Sequence, residues 1–132
     1  MPRLTVSIVT PTKRALQAEA DMVIAPSVAG ELGILPQHRA LLADLKEGIV
    51  TIKLGDTANR YAVSGGFIEV ERDKVAILAE TAEHSSEIDV ERARAAAKDA
   101  EAQLKKLDPL SPEYSDQAAR WRRSQARLAV AT

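Results

Sequence analysis

The chain has 132 residues, 45% hydrophobic and 28% charged, which fits one ordinary domain or a small domain with an appendage and excludes wholesale disorder. A formal net charge of −1 supplies no global field to recruit nucleic acid or anionic lipid, and the absence of cysteine excludes a disulfide framework, thiolate metal sites and thiol catalysis. Aromatic residues are only 3%, so the core must be aliphatic. No apolar run reaches the roughly 18–20 residues that cross a bilayer. Met1-Pro2-Arg3-Leu4 lacks the basic flank and apolar stretch of a signal peptide, so any work at a membrane needs a partner to hold the chain there.

Alternation starts at once. Leu4, Val6 and Ile8 face one way and Thr5 and Ser7 the other, the period of a half-buried strand. Pro11-Thr12-Lys13 breaks the run, and Met22 and Ile24 resume it before Pro26. Further runs are Val50-Ile52-Leu54, Tyr61-Val63, Phe67 to Val70 and Val75-Ile77-Ala79. Turn signals separate them at Glu47-Gly48, Gly55-Asp56, Gly65-Gly66 and Arg72-Asp73-Lys74. Short strands at intervals of about 8–12 residues predict a β-sandwich or flattened barrel.

The periodicity changes near Ala82–Glu87, and from Ile88 onward there is no glycine. The domain boundary is therefore expected at 86/87, with residues 1–86 as the β-body and 87–132 as a helical tail. Ser86 and Asp89 are spaced as a capping box, and either can serve as N-cap. Ala93, Ala97, Ala100, Leu104 and Leu107 then form one helical stripe. Asp108-Pro109-Leu110 stops it, because proline disfavours helical geometry in the residue before it. Ser111-Pro112 restarts a helix that runs to about Val130, with Tyr114, Ala118, Trp121, Gln125 and Leu128 as its expected seam. The short break predicts an antiparallel α-helical hairpin. Burying an alanine methyl yields about 0.8 kcal/mol against roughly 1.5–3 for a full Leu or Ile side chain. An alanine seam therefore predicts stable helices weakly packed on each other and on the β-body, open to two readings: an ordinary hairpin, or one that opens.

No catalytic or metal constellation emerges. His38 and His84 have no paired histidine or cysteine nearby. Ser64-Gly65-Gly66 lacks the flanking pattern of a nucleophile turn and reads as a tight turn or bulge. Gly30-Glu31-Leu32-Gly33-Ile34-Leu35-Pro36-Gln37-His38 reads as a bent loop carrying apolar residues, not a phosphate cradle. Arg120, Arg122, Arg123 and Arg127 are either a solvated basic face, favoured by the helix dipole, or a docking face for an acidic surface or phosphate. Arg123 and Arg127, four apart, share a face and could clamp one anion.

Taken in order, the Gly30–His38 loop, Gly65-Gly66-Phe67-Ile68-Glu69-Val70, Leu78-Ala79-Glu80-Thr81-Ala82-Glu83 and Ile88-Asp89-x-x-Arg92-Ala93 resemble the epsilon subunit of bacterial F-type ATP synthase, end to end. The resemblance implies a non-catalytic central-stalk subunit needing no cofactor. Its β-sandwich would bind the gamma subunit and the c-ring, with Glu31, Leu32, Ile34 and His38 at that interface. Its hairpin would fold on the sandwich or extend into the alpha/beta catalytic head and block hydrolysis, with Arg120, Arg122, Arg123 and Arg127 meeting an acidic segment of the beta subunit. The resemblance also implies peripheral placement, through the complex alone, on the cytoplasmic face of the bacterial plasma membrane.

Some members bind ATP between hairpin and sandwich as a regulatory ligand. The corresponding residues here are Glu83, Asp89, Arg92 and Ala93, with Arg123 and Arg127 as the arginines four apart; Arg122 has no such partner because position 126 is alanine. A ligand shifts two forms only by its differential affinity for them, and a weak alanine seam keeps that gap small. The alternative from a different class is a free-standing nucleotide- or small-ligand-binding module with the same fold.

Overall fold

The computed structural model describes residues 2–12 and 14–132. Eight strands come first: β1 (Leu4–Val9), β2 (Arg14–Ala20), β3 (Met22–Ser27), β4 (Gly30–Ile34), β5 (Leu41–Leu54), β6 (Thr57–Glu71), β7 (Lys74–Ala79) and β8 (Ala82–His84). A 3-10 turn over Ser85–Glu87 leads into α1 (Val90–Leu104) and α2 (Pro112–Ala131). The Lys13 end of the break expected at Pro11–Lys13, and Met1, lie outside the described residues.

The strand order is β2-β1-β7-β6-β5-β3-β4, with β8 also on β6, and the β1/β7 pair is parallel among otherwise antiparallel neighbours. The order ends at β2 and β4 with no pairing between them among the described residues. The mixed sheet is therefore a folded-over sandwich, as expected, and the flattened-barrel form of that expectation is not realised. Alternation explains the interior: Leu4, Val6 and Ile8 of β1, Val75 and Ile77 of β7, and Ile68 and Val70 of β6 all turn into one aliphatic core.

β5 and β6 run 14 and 15 residues, longer than a single layer needs. β6 does not end at Gly65-Gly66, where a turn or bulge was expected. It continues through both glycines and pairs with β7 and then β8 in one register, Gly66 opposite Ala79 and Val63 opposite Ala82. Gly66 has φ 121°, and a Cβ there would lie 1.9 Å from the Leu78 carbonyl oxygen. Only glycine lets the two backbones approach this closely.

Three strands lie where the alternation predicts none: β2, β4 and the short β8, which pairs with β6 at the change of periodicity. In β2, Leu16 and Ala18 face inward with Ala20, and alanine gives the alternation little contrast. β4 was read as a bent loop because Gly30 and Gly33 interrupt its pattern, yet it pairs with β3 from Ile34–Val23 to Gly30–Ser27.

Asp89 is the α1 N-cap, its carboxylate accepting from Arg92 N at 3.1 Å. Ser111 caps α2, accepting from Tyr114 N at 3.2 Å with Pro112 in the first turn. α1 ends at Leu104, a turn earlier than the proline stop suggested. The α1 stripe is buried at Ala93, Ala97 and Ala100.

The expected α2 seam is wrong: Trp121 is 37% exposed and Gln125 is exposed, while Ser124, Ala126 and Val130 are buried. The reason is that α2 is packed on two sides, against α1 and against β5 and β6, and only small residues fit both contacts. Ala126 and Val130 meet Ala62, Ile49 and Ile88 on the outer face of the sheet. Tyr61, Ala62 and Val63 are consequently all buried, the core covering one face of β6 and α2 the other.

Gly66→Ala should cost at least about 3 kcal/mol, since it adds a steric clash to a strained backbone. Urea unfolding checks this, and an unchanged midpoint would contradict the close approach assigned to this residue.

Candidate functional site

Where α1, α2 and the end of the β-body meet, a cavity of about 420 Å³ is lined by Glu83, Glu87, Asp89, Arg92, Ala93, Ala96, Arg120, Arg123, Ser124 and Arg127. Its floor comes from β8 and the following turn. Asp89 and Arg92 enter with the first turn of α1, and the remaining arginines with α2. The six residues grouped through the resemblance, Glu83, Asp89, Arg92, Ala93, Arg123 and Arg127, all lie on this wall.

Helical geometry accounts for the convergence. Arg120, Arg123 and Arg127 are three and four apart, one face of α2. Arg92 and Ala96 are four apart on α1, and buried Ala93 lets that helix approach closely. Ser124 is buried with its hydroxyl donating to the Arg120 carbonyl at 3.0 Å, so α2 presents no bulk at the contact. Glu87, Ala96, Arg120 and Ser124 were not assigned to this cavity from sequence. Arg120 was traceable, since it lies one turn before Arg123.

Four arginines face three carboxylates. Arg127 Nε donates to Glu83 Oε1 at 2.6 Å, and Arg120 pairs with Asp99 of α1. Asp89 is engaged as the helix cap. The guanidinium groups of Arg92 and Arg123 have no hydrogen bond or ion pair among the described residues, so the cavity presents two uncommitted cations together with Arg127. Such an arrangement suits an anion with several acceptor oxygens. A second cavity of about 280 Å³ adjoins it, sharing Glu83, Glu87 and Arg127 and adding Thr10, Thr12, Glu80, Thr81 and Ala82. Burial and then the charge of Glu87 push the Tyr61 phenol above its ordinary value, and its ring lies against His84 at 5.4 Å between centroids.

Arg122 does not line the cavity. Its Nε donates to Glu47 Oε1 of β5 at 2.9 Å, whereas Arg123 and Arg127 line the cavity. Of the four arginines assigned to an acidic partner, Arg120, Arg122 and Arg127 are thus paired inside the chain, and Arg123 has no ion pair among the described residues.

The second group, in the segment 31–38, divides. Glu31 is exposed, Leu32 is half-buried against the core and His38 is half-buried with Nδ1 donating to the Arg39 carbonyl at 2.8 Å. Ile34, expected at an interface, is 0% exposed: strand alternation in β4 turns it into the core. Leu35, 55% exposed, is the apolar side chain this segment offers to solvent. The loop is tied down by Gln37 N donating to Asp73 Oδ1 at 2.6 Å, at a residue whose φ is 68°.

The described residues contain no cluster of His, Cys, Asp and Glu fit to hold a metal, and no helix long and apolar enough to cross a membrane.

Comparison with known proteins places this geometry. The model of the ATP synthase delta/epsilon chain beta-sandwich domain matches residues 3–85, and that of its long alpha-helix domain matches residues 86–132. The ATP synthase epsilon chain of Halalkalibacterium halodurans is 47% identical over 131 residues, 99% of this chain and 98% of its own length. That of Moorella thermoacetica is 47% identical over 132 residues, again 99% and 98% of the two chains. A chain of the Euglena gracilis mitochondrial ATP synthase shares the fold with a TM-score of 0.83 at 22% identity, covering 98% of this chain and 81% of that one. With both domain models matched and full-length relatives at this identity, the chain belongs to the ATP synthase delta/epsilon chain family.

Proposed function

We propose that the chain is the non-catalytic epsilon-type subunit of a bacterial rotary ATP synthase. It couples proton translocation to ATP synthesis through its β-body and restrains ATP hydrolysis through its helical hairpin. Residues 1–86 serve as the docking part on the gamma subunit and c-ring, with Glu31, Leu32, Leu35 and His38 on the exposed or half-exposed side of the docking segment. Residues 87–132 serve as the regulatory part, reaching the alpha/beta head when extended. Membrane association comes through the complex, at the cytoplasmic face.

The observation that supports this best is the cavity between the hairpin and the β-body, where Arg92, Arg123 and Arg127 converge. A ligand there touches both parts and so favours the docked form by its differential affinity. ATP is the ligand proposed. Arg92 and Arg123 are uncommitted for its phosphates, and Arg127 can exchange Glu83 for a phosphate oxygen.

Isothermal titration of the full chain with ATP should give saturable binding that Arg92→Ala weakens at least about ten-fold, the worth of one charge-assisted contact. Equal heats from both proteins would remove ATP from this cavity. In the assembled enzyme, a chain ending at residue 86 should raise ATP hydrolysis several-fold while keeping the complex coupled. Unchanged hydrolysis would contradict the inhibitory role of the hairpin.

A further inference from the structure

We propose that Glu47 is the latch acid of the docked hairpin, holding α2 to the sheet through Arg122 and setting the docked fraction whether or not the cavity is filled. The inference rests on the reading that the hairpin moves, and adds what opposes that movement.

Among the described residues three ion pairs involve α2, and their positions give them different consequences. Arg120–Asp99 joins α2 to α1, so it travels with the hairpin and does not resist undocking. Arg127–Glu83 joins hairpin to sheet but stands in the cavity wall, where a bound anion competes for the same guanidinium. Arg122–Glu47 joins hairpin to sheet outside the cavity, about 100° around the helix from Arg123. A ligand in the cavity leaves it intact.

The Glu47 environment is built for this contact. Its side chain is 16% exposed, whereas Arg122 keeps 43% exposure. Glu47 sits opposite Ser64 where β6 approaches its glycine pair, and a Cβ on Gly65 would come 4.0 Å from Glu47 Oε2. The carboxylate thus lies against the glycine pair of β6, beneath α2. An exposed pair such as Arg3–Glu19, at 48% and 65%, contributes little to stability. A carboxylate covered by the docked helix loses its pairing and regains water when the helix leaves, so this pair reports on docking itself.

The same guanidinium is one proposed to meet an acidic segment in the extended form. Glu47 therefore competes with that segment inside the chain, and the two engagements of Arg122 exclude each other.

The chain has no cysteine, so spin labels at Thr57→Cys and Gln125→Cys, both exposed, report the separation of sheet and hairpin in the full chain. Without ATP, Glu47→Gln should raise the undocked-to-docked ratio about five-fold. The charge swap of Glu47→Arg with Arg122→Glu should return it toward the starting value, and Glu19→Gln should leave it unchanged. Added ATP should lower the ratio by the same factor with and without Glu47→Gln. An unchanged ratio in Glu47→Gln, a rise that the swap does not reverse, or a hairpin docked in every variant would overturn the latch. Should Glu47→Gln fail to fold, Arg122→Gln removes the same pair from the other side and is read identically. A hairpin that opens on losing Glu47 yet does not inhibit hydrolysis in the assembled enzyme would overturn the proposed function and leave the latch standing.

Discussion

A small apolar contact governs this molecule: Ala126 and Val130 of α2 set against Ala62, with Ile49 and Ile88 at its edge. It is the apolar part of the seam between α2 and the sheet. Its area is limited by side-chain size, since an alanine methyl contributes about 0.8 kcal/mol and a valine about 1.5–3. The polar supplements are individually modest: Arg122 on Glu47, Arg127 on Glu83, and Arg60 donating to the Ala129 carbonyl at 3.5 Å near the C-terminal end of α2. Docking therefore amounts to a few kcal/mol, large enough to define one arrangement and small enough for a ligand or a partner to reverse.

That weakness contrasts with the sandwich beneath it. The core of the β-body is continuous, built from fully buried Leu, Ile and Val on several strands, and its topology is pinned where Gly66 passes against Leu78. The same small-residue logic has opposite effects at the two places. At Gly66 the lack of a side chain lets hydrogen-bonded strands close up, producing rigidity. At Ala62 and Ala126 it lets α2 lie on the sheet with little area buried, producing a seam that separates cheaply. The cavity lies where rigid and weak parts meet, so occupancy there bears on the weak one.

Much of this order was legible from sequence, and the exceptions have physical causes. Strands with contrasting alternation, such as Leu4-Val6-Ile8, could be read directly; β2 could not, because alanine at alternate positions gives little contrast. β4 was hidden by Gly30 and Gly33, and Ile34 was assigned to an interface that its place in that strand denies it. The capping residues Asp89 and Ser111 were visible as local chemistry. The face of α2 was not, because a single-stripe pattern assumes one neighbour and α2 has two. Spacing could pair Arg123 with Arg127, but only folding brings Arg92 and Glu83 to them from more than thirty residues away. The Arg122–Glu47 pair, set 75 positions apart, left no trace in local pattern at all.

The central claim is that regulation resides in the undocking of α2 from the outer face of β5 and β6. Its most direct test is a reversible disulfide across that contact, from Ala62→Cys and Ala126→Cys, in the assembled ATP synthase. The account predicts that the oxidised enzyme hydrolyses ATP without restraint from the hairpin and that reduction restores the restraint. Equal inhibition in the oxidised and reduced forms would contradict it.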